Sequence, residues 1–388
     1  MDIRIANRIS KVKEYYFFKK LKEIEEMNTK GPRKVINLGI GSPDLPPSKK
    51  VTDTLAKSAY NPHNHAYQSY KGIPGLRKAF AKWYKLYYGV NLNPDNEILP
   101  LMGSKEGIMH ISMTYIDKGD KVLIPDPGYP AYETAARLAG GDIVHYSLEE
   151  SKNWLPDLDK LSKINFSKVK LMWVNYPNMP TGEIASRAFF KELICFGEEN
   201  NILICNDNPY SFIQTEKPKS ILETGGAMNV AIELNSLSKS HRMAGWRMGM
   251  VAGKADWINN ILKFKSNMDS GMFLPMQHAA ISALNLDKNW YVKNNLSYYK
   301  RKVKVWEILD HLKCSYNKNQ AGIFVWAKIP KSVQDAATLT DFILYNARVF
   351  ITPGIIFGSK GKRHIRISLC NSINRIEKAF ERIKKVTL

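Results

Sequence analysis

Residues 235–240 of this chain read NSLSKS, and this stretch decides the fold. It directly follows the apolar run 229–234, so Lys239 lies in a turn of small hydroxyl residues at the end of a predicted strand. Arg247 follows eight residues later. A lysine that is desolvated or near other cations keeps a neutral amine that can condense with an aldehyde, and an arginine fork matches phosphate oxygens. The stretch therefore indicates a Schiff-base lysine beside a phosphate clamp, although Lys239 alone would be interpreted more simply as a surface lysine.

The composition is that of an ordinary globular protein. The chain has 388 residues, of which 44% are hydrophobic, which gives ample core for two or three domains' worth of polypeptide. No apolar run approaches the roughly 18 residues that cross a bilayer, and the first thirty residues lack an apolar signal core. We therefore expect a cytoplasmic protein without a membrane partner.

The formal net charge is +21, from 57 basic and 36 acidic residues. Such a balance can indicate nucleic-acid binding, but the basic residues are spread along the chain and mixed with acidic ones, except in the dense segment 360–366. We therefore expect no nucleic-acid partner. The four cysteines are scattered without Cys-x-x-Cys spacing, which predicts free thiols and no metal site.

Strands and helices alternate between about residues 50 and 260. The predicted strand–helix pairs are 97–102 with 108–116, 121–124 with 132–139, and 169–175 with 187–200. Further strands are predicted at 201–205 and 230–234, and an amino-terminal helix at 10–28. This alternation predicts an α/β fold with a mainly parallel sheet, in which ligands gather at the carboxyl ends of the strands.

After about residue 285 the pattern changes to a long helix, short strands and a terminal helix, which is typical of a smaller α+β domain. The predicted domains are an amino-terminal arm with part of the small domain (1–45), a large cofactor-binding domain (46–285) and a small carboxyl-terminal domain (286–388).

Five further short segments carry candidate site residues. They are GSKEG (103–107), PDPGYPAY (125–132), NYPNMPTG (175–182), NDNPY (206–210) and HIRIS (364–368). Glycine and serine at a helix start offer N–H groups to a phosphate, and a carboxylate directly after a buried strand must pair with a positive group. Taken singly, a serine N-cap, a core tyrosine, a capping aspartate and a surface arginine are the simpler interpretations.

In this order and at these separations, the segments resemble the class I/II aminotransferases, the fold-type-I pyridoxal-phosphate enzymes. The resemblance runs from about Asn37 to Ser368. Segments 103–107, 174–177 and 265–271 look most like LL-diaminopimelate aminotransferases and their aspartate- and alanine-type relatives. The resemblance implies a large domain on a mainly parallel mixed sheet, a smaller α+β domain, and a homodimer with shared active sites.

The resemblance also implies roles for individual residues. Lys239 matches the Schiff-base lysine that moves a proton between the substrate α-carbon and the cofactor. Asp207 matches the carboxylate that faces the pyridine nitrogen and keeps it protonated, so that the ring accepts electrons. Tyr210 matches the phenol that hydrogen-bonds the cofactor O3′, and Tyr129 matches the residue that stacks on the ring. The residues that match the phosphate cup are Gly103, Ser104, Lys105, Ser236 and Arg247.

Three more positions match residues at the edge of the family's active site. Tyr67 matches a tyrosine that reaches the phosphate of the neighbouring subunit. Arg366 matches the fork for the substrate α-carboxylate, and Gly41 matches a glycine whose backbone closes near the same group. Fixing the carboxylate in this way sets the Cα–H bond perpendicular to the cofactor ring, which selects the bond that breaks.

Met179 departs from the family pattern, which usually has asparagine directly before Pro-Thr-Gly. Methionine has no donor for O3′. We hypothesise that the Schiff base has a higher pKa than in relatives, because the O3′ oxyanion loses a hydrogen bond. A pH titration of the visible band should therefore shift downward in Met179→Asn, and no such shift would mean that this position does not touch O3′. The adjacent Asn178 stays among the predicted cofactor-binding residues, although its side chain is expected to point elsewhere.

The resemblance implies a transaminase of EC 2.6.1 type. It would move the amino group of an L-amino acid to a 2-oxo acid, with 2-oxoglutarate as the expected acceptor, by a ping-pong mechanism. A C–S lyase, an acyltransferase or another fold-type-I enzyme is the alternative. A non-catalytic DNA-bound regulator is disfavoured, because the turn at 41–44 comes too early to leave room for a preceding DNA-binding module. The amino donor stays open among LL-diaminopimelate, aspartate, alanine, methionine and others.

Overall fold

The computed structural model describes residues 1–386 except 2, 11, 13, 15 and 32. The α-helices are α1 (Asn7–Ser10), α2 (Tyr16–Lys30), α3 (Lys49–Ala59), α4 (Pro74–Tyr88), α5 (Ser104–Tyr115), α6 (Pro130–Leu138), α7 (Leu158–Leu161), α8 (Arg187–Glu199), α9 (Leu237–Ser240), α10 (Ala255–Lys265), α11 (Leu274–Leu284), α12 (Lys288–His311), α13 (Ala336–Phe342) and α14 (Ile373–Ile383). The strands are β1 (Ile36–Asn37), β2 (Ile98–Leu101), β3 (Lys121–Asp126), β4 (Asp142–Ser147), β5 (Val169–Val174), β6 (Leu203–Asp207), β7 (Ala231–Ser236), β8 (Gly249–Ala252), β9 (Ser315–Tyr316), β10 (Phe324–Lys328), β11 (Val349–Phe350), β12 (Thr352–Pro353) and β13 (His364–Ser368).

The large sheet has seven strands in the order β2-β8-β7-β6-β5-β3-β4. The β3–β4, β3–β5, β5–β6 and β6–β7 pairs are parallel, which confirms the predicted mainly parallel sheet. β8 runs antiparallel to both of its neighbours. A parallel return needs a crossover of a dozen or more residues, usually a full helix, whereas the connection from β7 to β8 contains only the single turn of α9 and a short 3-10 turn.

The sheet topology brings the predicted site segments to one edge. β5, β6 and β7 are parallel neighbours, so Asn175, Asp207 and Ser236 lie together at or just beyond their carboxyl ends. Leu101, at the end of β2, and Ser236 both pair with Gly249 of β8. The first turn of α5 therefore starts at the same edge as the turn that carries Lys239.

A second sheet, in the order β12-β13-β10-β9, is antiparallel and carries Arg366 on β13. β1 pairs in parallel with β11, so the segment near residue 36 packs with the carboxyl-terminal part of the chain. The short strands β11 and β12 lie one residue apart in the chain but belong to different sheets. The domain boundaries at 45/46 and 285/286 stay predictions.

Element boundaries differ from the predictions where turn geometry intervenes. The strand predicted at 201–205 begins at Leu203, because Asn201 has a left-handed backbone (φ 53°) and the N–H of Ile202 donates to the Gly197 carbonyl to close α8. The helix predicted at 10–28 is described as α2, which begins at Tyr16; residues 11, 13 and 15 lie outside the described part of the chain. Among the described helices, none has the length and apolar character that a bilayer crossing requires.

Candidate active site

A cavity of about 510 Å³ opens at the carboxyl edge of the large sheet, facing the small sheet and α2. The predicted site residues that line it are Gly41, Ser104, Lys105, Tyr129, Asp207, Tyr210, Ser236, Lys239, Arg247 and Arg366. These residues come from positions as far apart as 41 and 366, so the fold brings together groups that were recognised only as separate segments.

The side chain of Lys239 is half-buried on α9, and its Nζ donates to the Gly41 carbonyl at 2.6 Å. Burial lowers the pKa of this amine, and the guanidinium groups of Arg366 and Arg247 lower it further, against an opposing effect of Cys370. A lowered pKa increases the neutral fraction of the amine near pH 7. The lowered pKa therefore favours the neutral amine, which is the form that condenses with a carbonyl.

Asp207 ends β6 in a fully buried position at the floor of the cavity. Its Oδ2 accepts a hydrogen bond from the Tyr132 hydroxyl at 3.0 Å, whereas Oδ1 has no hydrogen-bond partner of good geometry among the described residues. Burial raises the pKa of this carboxyl to about 7, although Tyr132, the Ser104 hydroxyl and Lys239 lower it. Burial makes the charged form of this carboxylate unfavourable. A cation or a charged N–H facing Oδ1 would stabilise it.

The opposite end of the cavity is built to hold an anion. Ser104 opens α5, whose first N–H groups have no partner within the helix. The Ser236 hydroxyl donates to Ser238 Oγ at 2.8 Å, and Arg247 Nη1 lies 3.4 Å from the same Oγ and donates to the Ala244 carbonyl at 2.9 Å. The cluster of hydroxyl, guanidinium and helix N–H groups matches the oxygen atoms of a phosphate.

Gly103 does not line the cavity, but it allows this anion end to close. It has φ 88°, and a Cβ on it would lie 2.1 Å from Arg247 Nη2. Any side chain at this position would therefore displace the guanidinium.

Arg366 lies 4% exposed on β13 at the far wall of the cavity. Its Nη2 donates to the Gly39 carbonyl at 2.8 Å, and its Nη1 lies 3.2 Å from Met179 Sδ. These contacts fix the guanidinium beside Lys239. A fixed fork of this kind suits the carboxylate of a small ligand.

In the turn at 175–182, some side chains line the cavity and others form hydrogen bonds within the turn. Asn175 and Met179 line the cavity, whereas Asn178 does not. The Asn178 Oδ1 accepts from the Thr181 hydroxyl at 2.8 Å and from the Thr181 N–H at 3.2 Å. The side-chain oxygen of Asn178 therefore stabilises the turn itself. The structure does not bring this predicted residue to the cavity.

Tyr67 lies outside the cavity and is 91% exposed. Tyr70, Met268 and Phe273 are also exposed, and a Cβ on Gly271 would meet the Gln68 carbonyl, so the loops at 66–72 and 266–273 are in contact. They form a surface with unusual apolar exposure beside the site, which is typical of a contact surface for another chain.

Several cavity residues were not predicted to have a role. Tyr132 holds Asp207 and stacks on Trp173 with ring centroids 4.9 Å apart, and Ser238 bridges Ser236 to Arg247. Tyr132 could have been found from the sequence, because it follows Tyr129 by three residues at a helix start. This spacing places both side chains near one face of the helix. No signal could reveal Phe17 and Phe324, because their approach to the cavity depends on the packing of distant segments.

One group of potential metal ligands occurs among the described residues, in Glu106, His110 and Asp269. Asp269 is already paired with the fully buried Lys265, whose Nζ lies 2.7 Å from its Oδ2. An ammonium therefore occupies the position in which a cation would balance this carboxylate, and the cluster is an internal ion pair next to α5.

Comparison with known proteins gives consistent results over nearly the whole chain. Residues 33–383 match the family model for aminotransferase class I and II. An LL-diaminopimelate aminotransferase from Dehalococcoides mccartyi (strain CBDB1) is 40% identical over 383 residues, which are 98% of each chain. The apo-BacF structure from Bacillus subtilis superimposes with a TM-score of 0.95 at 34% identity, covering 100% of this chain and 99% of that one. A mutant aspartate aminotransferase structure from Thermus thermophilus, at 22% identity, shares the fold with a TM-score of 0.92 over both full lengths.

Proposed function

Since the chain belongs to the aminotransferase class I and II family, we propose that its 510 Å³ cavity holds pyridoxal phosphate and transfers the amino group of an L-amino acid to a 2-oxo acid. The single observation that carries this proposal is the meeting of Lys239, Asp207, Arg247 and Arg366 in one cavity. The family as a whole is pyridoxal-phosphate-dependent, and transaminase activity is its established chemistry.

The residues present fit this cofactor. The open Oδ1 of buried Asp207 offers a place for a protonated ring nitrogen, which would supply the missing counter-charge. Ser104, Lys105, Ser236 and Arg247 would hold the phosphate, with Gly103 leaving the space that Arg247 needs. Tyr129 would lie against the ring and Tyr210 would hydrogen-bond its phenolic oxygen. When bound, the cofactor supplies an aldehyde for the amine and an aromatic ring that accepts electrons from the substrate α-carbon.

Each step that remains belongs to side chains of this protein. Arg366 binds the α-carboxylate through its fork, and Gly41 closes over the same group. Lys239 Nζ, whose pKa is lowered by burial, accepts the proton of the substrate α-carbon. The carbonyl of Gly41, 2.6 Å away, orients the amine for this transfer. Asp207, held by Tyr132, would keep a negative charge facing the ring nitrogen.

We further propose a homodimer in which Tyr67 reaches the active site of the neighbouring subunit. The exposed tyrosines and Phe273 of the contacting loops support a chain contact on this surface. We keep 2-oxoglutarate as the proposed acceptor of the second half-reaction, because it is the acceptor that the family resemblance implies.

A single-turnover experiment tests the proposed reaction against a C–S lyase. Holoenzyme mixed with a reactive amino acid, in the absence of any 2-oxo acid, should lose its visible band, gain near-ultraviolet absorbance and release one 2-oxo acid per active site before stopping. A lyase would keep turning over and release ammonia in large excess over active sites. Continued ammonia release would therefore contradict the transaminase proposal.

A further inference from the structure

One wall of the cavity is apolar. The wall residues are Phe17, Leu21, Ile40, Met179, Phe324 and Phe357. We infer that this apolar wall receives the substrate side chain and that the preferred amino donor is an L-amino acid with an apolar side chain. This inference rests on the proposed function, since it specifies the substrate of the same cavity.

The wall is built around the guanidinium that is proposed to bind the α-carboxylate. The guanidinium carbon of Arg366 lies 3.7 Å from the Phe324 ring centroid, 4.6 Å from that of Phe357 and 5.6 Å from that of Phe17. Aromatic faces stabilise the cation without neutralising it. A carboxylate that binds Arg366 therefore brings the rest of its molecule among aromatic rings.

The amino-terminal helix contributes only apolar groups to the wall. Phe17 and Leu21 are four residues apart on α2, so they share one helix face. Lys20, between them in sequence, is directed elsewhere: its Nζ lies 2.8 Å from Glu23 and 3.4 Å from Asp341. The nearest cation on this helix is therefore engaged outside the cavity.

Among the described residues of one chain, the charged groups that line the cavity all have another task in the proposed reaction. They are Lys105, Asp207, Lys239, Arg247 and Arg366. A donor such as LL-diaminopimelate carries a second amino-carboxylate group, and placing these charges against phenylalanine and leucine without partners has a large desolvation cost. An aromatic or aliphatic side chain gains from the same burial. The apolar wall therefore favours phenylalanine, leucine or methionine over LL-diaminopimelate or aspartate.

Half-reactions of the holoenzyme with single donors test this inference without an acceptor. We expect the rate constant for loss of the visible band, divided by the apparent dissociation constant, to be about 100-fold higher for the best of L-phenylalanine, L-leucine and L-methionine than for LL-diaminopimelate or L-aspartate. L-glutamate is left out of the comparison, because it is the product expected from 2-oxoglutarate. If LL-diaminopimelate or L-aspartate reacts as fast or faster, the inference is wrong and the aminotransferase function stands. If no amino acid changes the band, both are wrong.

A pair of variants on α2 tests the wall directly. Leu21→Arg should lower the preference for L-phenylalanine over L-aspartate by at least about 10-fold, because it places a cation opposite the distal carboxylate. Phe18→Arg is the matched control, since Phe18 is 64% exposed on the same helix and does not line the cavity. An unchanged preference in Leu21→Arg, or an equal change in both variants, would overturn the role assigned to this helix face.

Binding provides a readout that does not depend on turnover. 3-Phenylpropanoate has a carboxylate and a ring but no amine, whereas pimelate has a carboxylate at each end. Calorimetry on the holoenzyme should show that 3-phenylpropanoate binds at least about 10-fold more tightly than pimelate. Tighter binding of pimelate would contradict the apolar wall as the side-chain site.

Discussion

Replacing Lys239 with alanine is expected to lower the single-turnover rate constant by about 10⁴-fold or more. The change removes both the amine that condenses with the aldehyde and the base that takes the α-proton, and proton transfer alone contributes about 10²- to 10⁴-fold. The fold should survive, because the side chain is half-buried and its Nζ hydrogen-bonds to the Gly41 carbonyl. Rapid-mixing absorbance with a saturating amino acid measures the loss.

Two controls separate this chemical role from a structural one. Lys254→Ala removes an exposed lysine at the start of α10 and should leave the rate unchanged. A small primary amine added to Lys239→Ala should restore part of the rate, since it can enter the vacated space and accept the proton. A Lys239→Ala protein that transfers amino groups at the original rate would remove the basis of the mechanism.

Replacing Asp207 with asparagine should have opposite effects on catalysis and on the stability of the cofactor-free protein. In the holoenzyme the variant loses the negative charge that faces the ring nitrogen, and we expect a rate about 10²- to 10³-fold lower. Without cofactor, burial gives Asp207 a pKa of about 7, well above that of an unfolded aspartate. The folded state binds this proton more tightly than the unfolded state, so the wild-type protein loses stability as the pH rises from about 4 to 7.

Asparagine has no such loss, because its amide is neutral and can still accept from Tyr132. The cofactor-free Asp207→Asn protein should therefore be more stable than wild type at pH 8, by on the order of 2–4 kcal/mol, and the difference should shrink as the pH is lowered toward 5. Urea unfolding of the two cofactor-free proteins at pH 8 and pH 5 measures this. A variant that is less stable than wild type at pH 8 would show that the buried charge of Asp207 does not destabilise the cofactor-free protein.

The sheet could be predicted from local patterns, because each strand and helix depends on one segment, whereas the roles of the site residues were predicted from the family resemblance. The strand before Asp207 and the turn around Lys239 are read from adjacent residues, and strand–helix alternation places both at the same edge. The antiparallel direction of β8 follows instead from its short connection to β7. The length of that connection can be judged only when the ends of both strands are known.

What could not be predicted depends on contacts between distant segments. Nothing in the residues around Phe17 indicates that its ring lies 5.6 Å from the Arg366 guanidinium, because the contact joins α2 to β13. The apolar wall therefore required the structure, whereas the proposed cofactor residues were predicted from the family resemblance.

The central claim is that Lys239 holds the aldehyde of pyridoxal phosphate. Reduction of the purified holoenzyme with borohydride, followed by proteolysis and mass spectrometry, tests it most directly. We predict that the reduced cofactor is found on the peptide that contains Lys239, at close to one per chain. Recovery of that peptide unmodified, with the cofactor on another lysine or on none, would contradict the account.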